Sequence, residues 1–177
     1  MSTEPISAAA FREALAHFAS GVTVVASRDA AGLFGFTATG FTSVSLAPPL
    51  ILVCVGKTAS VYGRIVEAVH FGVSILSERQ GGIAQQFAQS KIDRFRDVTL
   101  RDASTPLIDG AVAALECRRH AHHDGGDHTI LVGEVVGVFV GAGRPLVHCS
   151  RRFGAFVAEG YQQPSSSAVS VQRGGEA

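Results

Sequence analysis

The chain has 177 residues, of which 46% are hydrophobic and 17% charged, and its formal net charge at neutral pH is zero. This length suits one domain, and a balanced charge argues against a protein that binds nucleic acid or an anionic membrane through a basic surface. The three cysteines are far apart and form no CxxC pair, which excludes a disulfide framework and a zinc ribbon. Without a recognisable signal peptide or a long apolar run, we expect a cytoplasmic protein.

The first part of the chain predicts one helix followed by several strands. Ser7 is a suitable N-cap for a helix over residues 7–20, in which Phe11, Leu15 and Phe18 recur at helical spacing. Pro48 and Pro49 interrupt the following segments and favour extended backbone. The β-branched and apolar runs predict strands at residues 22–27, 34–39, 42–46 and 50–55.

The second part predicts a long hairpin preceded by two short helices. The turn of the hairpin is Asp124-Gly125-Gly126-Asp127, and glycines at intervals of four in its second strand are typical of bends in a barrel wall. Residues 162–177 are rich in Gln, Ser and Gly, which predicts a disordered tail. We predict helices at residues 59–69 and 79–89, a polar loop at 91–101, and strands at 71–76, 111–123, 129–140 and 146–148.

This order of elements predicts a mainly β fold with helical inserts (α+β), a barrel, because strands and helices do not alternate regularly. We expect the domain to span residues 1–161.

Known nucleotide motifs are absent: Gly56-Lys57-Thr58 follows a strand, but Ile51 replaces the first glycine of a phosphate loop, and there is no GxGxxG. The segment still has anion-binding character, unless Thr58 or Ser60 merely caps the next helix.

Two clusters of polar residues allow more than one interpretation. Lys91 and Arg94 present two cations to a phosphate, or belong to a solvated loop. Glu116 and Glu134 form an acid/base pair if they face each other across the hairpin, and otherwise are separate carboxylates of the wall. The histidines near the hairpin turn are solvated, hold an adventitious metal ion, or include a functional His128; they are His120, His122, His123 and His128.

Five segments, taken in order, resemble the flavin reductase-like family. They are the run F-A-S-G-V-T-V-V at residues 18–25, the run G-F-T-A-T-G-F-T-S-V-S-L-A-P-P-L at 35–50, the basic stretch from Phe87 to Phe95, Gly126-Asp127-His128, and P-L-V-H at 145–148 with Arg152-Phe153-Gly154. The resemblance implies a split β-barrel that binds FMN or FAD and forms a homodimer. It also implies that NADH or NADPH reduces the flavin, which is then released to a separate flavin-dependent monooxygenase.

The resemblance also assigns roles to individual residues. His128 is expected near the nicotinamide nucleotide, with Arg152 a second candidate, and no metal is expected. In this family the chemistry belongs to the flavin, so no catalytic acid or base is required. The residues expected to bind the flavin are Thr37, Ala38, Thr39, Gly40, Cys54, Val55, Gly56, Lys57, Thr58, Ala59, Ser60, Val61, Ala88, Lys91 and Arg94.

One departure concerns the residues expected against the flavin ring, because Thr39-Gly40 stands where the family often has Asn-Ser. Related barrels serve other functions. A flavin-binding carrier or sensor without turnover, or a reductase of another acceptor such as a corrinoid, is therefore an alternative. The Gly-Asp-His segment favours the reductase, since a carrier has no evident use for a nicotinamide site.

Overall fold

A computed structural model describes residues 5–157 and the backbone of residues 171–173. The helices are α1 (Ala8–Ala16), α2 (Tyr62–Glu67) and α3 (Gly81–Ala88), and a 3₁₀ turn at Glu78–Gln80 precedes α3. The strands are β1 (Ser20–Gly21), β2 (Thr23–Asp29), β3 (Gly32–Ala38), β4 (Phe41–Leu46), β5 (Pro49–Gly56), β6 (His70–Ile75), β7 (Ala113–Gly125), β8 (His128–Val140), β9 (Leu146–Cys149), β10 (Arg152–Ala155) and β11 (Val171–Arg173).

The strands form one large and one small antiparallel sheet. The large sheet has the order β3-β2-β6-β7-β8-β5-β4, with β11 paired to β8, and the small sheet has the order β1-β9-β10. The inner face of the large sheet packs around a cluster that includes Phe34, Phe36, Val53, Phe71 and Leu131. Because this cluster combines residues from the edge strand β3 with residues from β5 and β8, the sheet curves around it. The predicted mainly β fold with helical inserts is confirmed.

The first five residues of β2 are buried on both faces, which explains the apolar run Val24-Val25-Ala26 within it. Val25 points into the barrel cluster, whereas Val24 and Ala26 pack in a second cluster with Phe87 of α3 and Leu146 of β9. Helix α3 and the small sheet therefore lie against the outside of the barrel. This packing holds the C-terminal end of α3 next to the end of β3.

The long hairpin of β7 and β8 contains two irregularities, one with the extra residue Val136 in β8, opposite Glu116/Cys117, and one with the extra residue His120 in β7, between Arg119 and Ala121. Glu116 is buried and accepts hydrogen bonds from the Ser104 backbone N–H (2.7 Å) and hydroxyl (2.5 Å) and from the Thr105 N–H (3.2 Å). Glu134 instead pairs with Arg118 at 2.9 Å. The two glutamates are therefore separate, and an acid/base pair between them is wrong.

The helices are shorter than the sequence predicts. Residues 59–61 form turns, so α2 begins only at Tyr62, and the segment predicted as one helix over 79–89 is a 3₁₀ turn followed by α3. Helix α1 has no buried residue although its apolar residues recur at helical spacing. Among the described helices, none is long and apolar enough to cross a membrane.

Strands β1 and β10 have no counterpart in the elements predicted from the sequence, because both are short and β10 consists of exposed residues. The tail predicted to be disordered over residues 162–177 lies mostly outside the described residues. Its described part is β11, whose backbone pairs with β8 between Gly137 and Phe139.

Candidate functional site

A cleft of about 530 Å³ opens where the ends of β3, β5 and α3 meet the start of β8. Its volume falls within the range of small-molecule sites, roughly 300–1,000 Å³. Most of the residues predicted to bind flavin or nicotinamide line it. They are Thr37, Ala38, Thr39, Gly40, Cys54, Gly56, Thr58, Ala59, Ser60, Ala88, Arg94 and His128.

Gly40 and Cys54 form one wall of the cleft at very close range. The Cys54 N–H donates to the Gly40 carbonyl at 2.8 Å. A Cβ atom at residue 40 would lie only 3.0 Å from the Cβ of Cys54. The glycine that departs from the family pattern is thus explained locally, because Cys54 occupies the space that a larger residue would need.

The 56–60 loop follows β5 and lines the same cleft. Helix α2 begins at Tyr62 with Val61 as its N-cap, and no side chain caps it. The Ser60 hydroxyl instead accepts a hydrogen bond from Arg94 at 3.2 Å. Neither Thr58 nor Ser60 caps the helix, so both hydroxyls belong to the cleft rather than to helix formation.

Arg94 connects three separate parts of the site. Its guanidinium donates to the carbonyls of Gln89 (2.6 Å) and Gly35 (3.0 Å) as well as to Ser60. Burial lowers the pKa of Arg94, although an arginine stays protonated in proteins. With three of its five N–H donors accounted for by these bonds, Arg94 still has donors for an anionic ligand.

A second cavity of about 310 Å³ adjoins the cleft, and Ser60 and Arg94 line both. Lys91 lines only this adjoining cavity, with its backbone in the left-handed region at φ 63°. Arg64 also reaches the cavity, but its guanidinium is paired with Asp29 at 2.5 Å. The pairing lowers the pKa of Asp29 and raises that of Arg64. Lys91 is therefore better placed than Arg64 to meet a ligand phosphate.

His128 is the first residue of β8 and reaches the cleft over the bare backbone of Gly56. A Cβ atom added to Gly56 would lie 3.6 Å from His128 Nε2. His128 Nδ1 lies 2.7 Å from Asp127 Oδ1, and this contact holds the pKa of Asp127 below its usual value. A carboxylate at Nδ1 favours the tautomer with the proton on Nδ1, which leaves Nε2 available to a ligand.

Besides Lys91, four predicted site residues do not line the cleft. Val55 and Val61 are buried in the barrel cluster, and Arg152 lies in the exposed strand β10 of the small sheet. The Lys57 ammonium forms an ion pair with Asp124 at the hairpin turn. The arrangement thus gives no support to a direct role of the Val55, Lys57 and Arg152 side chains in binding flavin or nicotinamide, whereas Val61 also lines the adjoining cavity.

The histidines of the hairpin are not gathered into a metal site. No group of three or more His, Cys, Asp or Glu side chains suited to a metal ion occurs in the part of the chain that the structure describes. The irregularity at Arg119/Ala121 also breaks the alternation that would put His120 and His122 on one face.

Burial raises the pKa of the Cys117 thiol to about 12, so this cysteine is unreactive.

The sequence interpretation missed three residues that line the cleft: Phe36, Phe87 and Ser90. Phe36 and Phe87 are buried, so their apolar character predicted core positions and gave no sign of a second role. Ser90 stands between two predicted site residues, and its position in the sequence was the one available signal.

The charge of the cleft and the adjoining cavity suits a ligand with a phosphate. No described residue lining the cleft is acidic, and Asp93 is the one acid among the described residues that line the adjoining cavity. Arg94 and Lys91 supply positive charge, and Thr58 and Ser60 supply hydroxyls. This set of donors, next to apolar side chains and backbone, fits the ribityl phosphate and the ring of a flavin.

Comparisons with known proteins agree with this assignment. A family model described as "Flavin reductase like domain" matches residues 15–156. The FMN reductase (NADH) SmoA of Agrobacterium fabrum is 41% identical over 147 residues, covering 82% of this chain and 84% of that protein. The reductase component of 4-hydroxyphenylacetate 3-monooxygenase from Thermus thermophilus is 43% identical over 145 residues, covering 81% of this chain and 93% of that protein.

A solved structure shows the same fold. The NADH:FAD oxidoreductase SgcE6 of Streptomyces globisporus, determined in complex with NAD and FAD fragments, superposes with a TM-score of 0.84 at 38% sequence identity. The match covers 91% of this chain and 99% of that chain. The split barrel expected from the sequence is therefore confirmed.

Proposed function

This chain belongs to the flavin reductase-like family, and from that premise we propose that it oxidises NADH, reduces FMN or FAD, and supplies the reduced flavin to a separate monooxygenase. One observation carries the proposal. A single cleft is lined by Arg94 and its neighbours, whose charge and hydroxyl groups suit a phosphate, and by His128, the residue expected at the nicotinamide. Homologues that use NADH and reduce FMN or FAD support the choice of reactants.

The residues around Arg94 have the task of binding the flavin. We infer that Ser60 and Arg94 hold its phosphate and that Lys91 adds charge from the adjoining cavity. The backbone from Thr37 to Gly40 is placed to line the ring. When bound, flavin supplies the hydride acceptor, so the protein is required to position the two reactants and to exclude competing reactions.

His128 has the task of orienting the nicotinamide. With its Nδ1 proton directed at Asp127, a neutral His128 presents Nε2 as a hydrogen-bond acceptor. The amide N–H₂ of a nicotinamide carboxamide is a suitable donor. A Cβ atom at position 56 would meet this imidazole at 3.6 Å, an ordinary contact distance, so Gly56 lies directly beside His128.

The proposed activity is tested by following NADH absorbance with purified protein and added FMN or FAD. NADH consumption that depends on added flavin is expected. A carrier or sensor would bind flavin without consuming NADH. A reductase of another acceptor such as a corrinoid would need that acceptor, so absence of flavin-dependent NADH oxidation would contradict the proposal.

Lys91→Ala tests the phosphate assignment. Lys91 is exposed at the adjoining cavity, and exposed ion pairs contribute up to about 1 kcal/mol. We expect the Kd for FMN to rise roughly fivefold, whereas riboflavin, which has no phosphate, binds unchanged. Flavin fluorescence measures both. Alanine and lysine have the same backbone strain at this positive φ, so the substitution does not change it. Equally weakened binding of FMN and riboflavin would show that Lys91 acts through the fold.

We also propose that the protein is a homodimer and that a flavin-dependent monooxygenase is its partner. Homologues include reductase components of monooxygenases. Apolar side chains on α1 and on the edge strand β4 are exposed in the single chain, with Leu46 94% exposed. Burial of this apolar surface against a second copy of the chain would stabilise a dimer. Sedimentation is expected to give about twice the monomer mass of 18.4 kDa, and a fully active monomer would contradict the dimer.

A further inference from the structure

The 56–60 loop and the hairpin turn at residues 124–128 are joined at several points. Gly56 pairs with His128 at the end of the β5–β8 ladder, and the Lys57 N–H donates to the Asp127 carbonyl at 2.9 Å. The Lys57 ammonium forms its ion pair with the Asp124 carboxylate. The loop assigned to the flavin phosphate therefore bonds directly to the segment that carries His128.

Apart from the pairing of β7 with β8, which continues to Gly125 and His128, the hairpin turn has little other support. Residues 122–128 are all exposed, and the turn contains Gly125 and Gly126, the latter at φ +77°. A glycine-rich, exposed turn has many accessible conformations. The strand pairing holds the backbone of His128, and the bonds from the turn to the 56–60 loop are the further contacts that limit movement of the turn.

Lys57 is committed to this attachment rather than to the cleft. The contact with Asp124 raises the pKa of Lys57 and lowers that of Asp124, and Asp127 adds a smaller attraction. Asp124 also lies 3.4 Å from the Gly126 N–H, which orients its carboxylate. A cation predicted to bind phosphate thus faces two carboxylates on the hairpin.

We propose that Lys57 and Asp124 are positioning residues that fix the hairpin turn to the 56–60 loop and so hold His128 in place for NADH. The inference rests on the proposed function. The ion pair preorganises the nicotinamide site, and neither of its residues contacts the flavin or the NADH. Loss of the pair lets the turn move, so NADH binds less well while the flavin site is unchanged.

The experiment uses Lys57→Met, Asp124→Asn and the double variant of the full chain. Asparagine keeps the side-chain oxygen near Gly126 but removes the charge. Lys57→Arg keeps the charge and serves as the conservative rescue. Glu134→Gln is the matched control, because Glu134 forms an exposed ion pair with Arg118 on the same hairpin but away from the turn.

Three quantities are measured: KM for NADH and kcat at saturating flavin, and the Kd for FMN. A flavin fluorescence titration reports the Kd for FMN. Each single variant is expected to raise KM for NADH roughly two- to fivefold, the size of an exposed ion pair. The kcat and the FMN Kd stay unchanged. The double variant is no worse than either single one, and Lys57→Arg and Glu134→Gln behave as wild type.

Three results would overturn the proposal. Additive effects in the double variant would mean that the two residues act independently. Weaker FMN binding in Lys57→Met, with Asp124→Asn unaffected, would make Lys57 a phosphate ligand. An unchanged KM for NADH in both single variants would mean that the pair has no effect on the nicotinamide site. Failure of the proposed function is distinguishable, since wild-type protein would then not consume NADH with flavin.

Discussion

Arg94→Ala is expected to weaken flavin binding roughly 30-fold, which corresponds to about 2 kcal/mol. The substitution removes a cation from the cleft and three hydrogen bonds, to Gly35, Gln89 and Ser60. Hydrogen bonds to charged groups typically contribute 1.5–3 kcal/mol each when the partner has no substitute. Water replaces some of them here because Arg94 is only half-buried. Flavin fluorescence titration gives the Kd.

Two further variants separate charge from geometry. Arg94→Lys keeps the charge but cannot present a planar fork to several acceptors at once, so we expect intermediate binding. Arg96→Ala is the control, since Arg96 lies two residues further on and its side chain is 79% exposed. It should bind flavin as wild type does. Unchanged flavin binding in Arg94→Ala, with the melting temperature preserved, would exclude Arg94 from the flavin site.

His128→Ala is expected to lower kcat/KM for NADH about tenfold or more, equivalent to roughly 1.4 kcal/mol of transition-state stabilisation. The imidazole lies over Gly56 in the cleft, and its Nε2 is the group that we propose for the nicotinamide. Flavin affinity should stay within about twofold, because the proposed phosphate site around Arg94 does not include His128. Steady-state kinetics beside a flavin titration measure both quantities.

His123→Ala is the matched control for this variant. His123 is an exposed histidine of the same hairpin, opposite Ile130 and outside the residues that line the cleft. Its replacement should change neither kinetics nor flavin binding. If His128→Ala also leaves kcat/KM unchanged, His128 is a solvated residue of the turn and the carrier hypothesis gains support.

Most of the secondary structure could be predicted because local sequence determines it. The β-branched run of β2 and the prolines at the start of β5 leave few alternatives to extended backbone. The same holds for the order of segments that identifies the family, because each segment is contiguous in the sequence. Helix ends were less predictable: the turns at residues 59–61 are continued by hydrogen bonds to Gly56 and Ala59 rather than by a capping residue.

The cleft could be predicted where its residues are neighbours in the sequence, as from Thr37 to Gly40. The electrostatics of the cleft could not be predicted from the sequence. Whether Lys57 meets a phosphate or Asp124 depends on a contact between residues 67 positions apart. Register likewise separates Glu116 from Glu134: Glu116 pairs with Gly137 and Glu134 with Arg118, with one extra residue of β8 between them, and one position moves a side chain to the other face of a strand.

The sequence by itself thus determined most of the strands, the barrel class and the family. Each of these depends on short-range patterns or on motifs that occur in order along the chain. Only the tertiary structure decided that Arg94 connects three segments, that Lys57 attaches the hairpin turn, and that Arg152 lies outside the cleft. The physical reason is that long-range ion pairs and hydrogen bonds depend on sheet register and loop packing, which arise from many weak contacts over the whole chain.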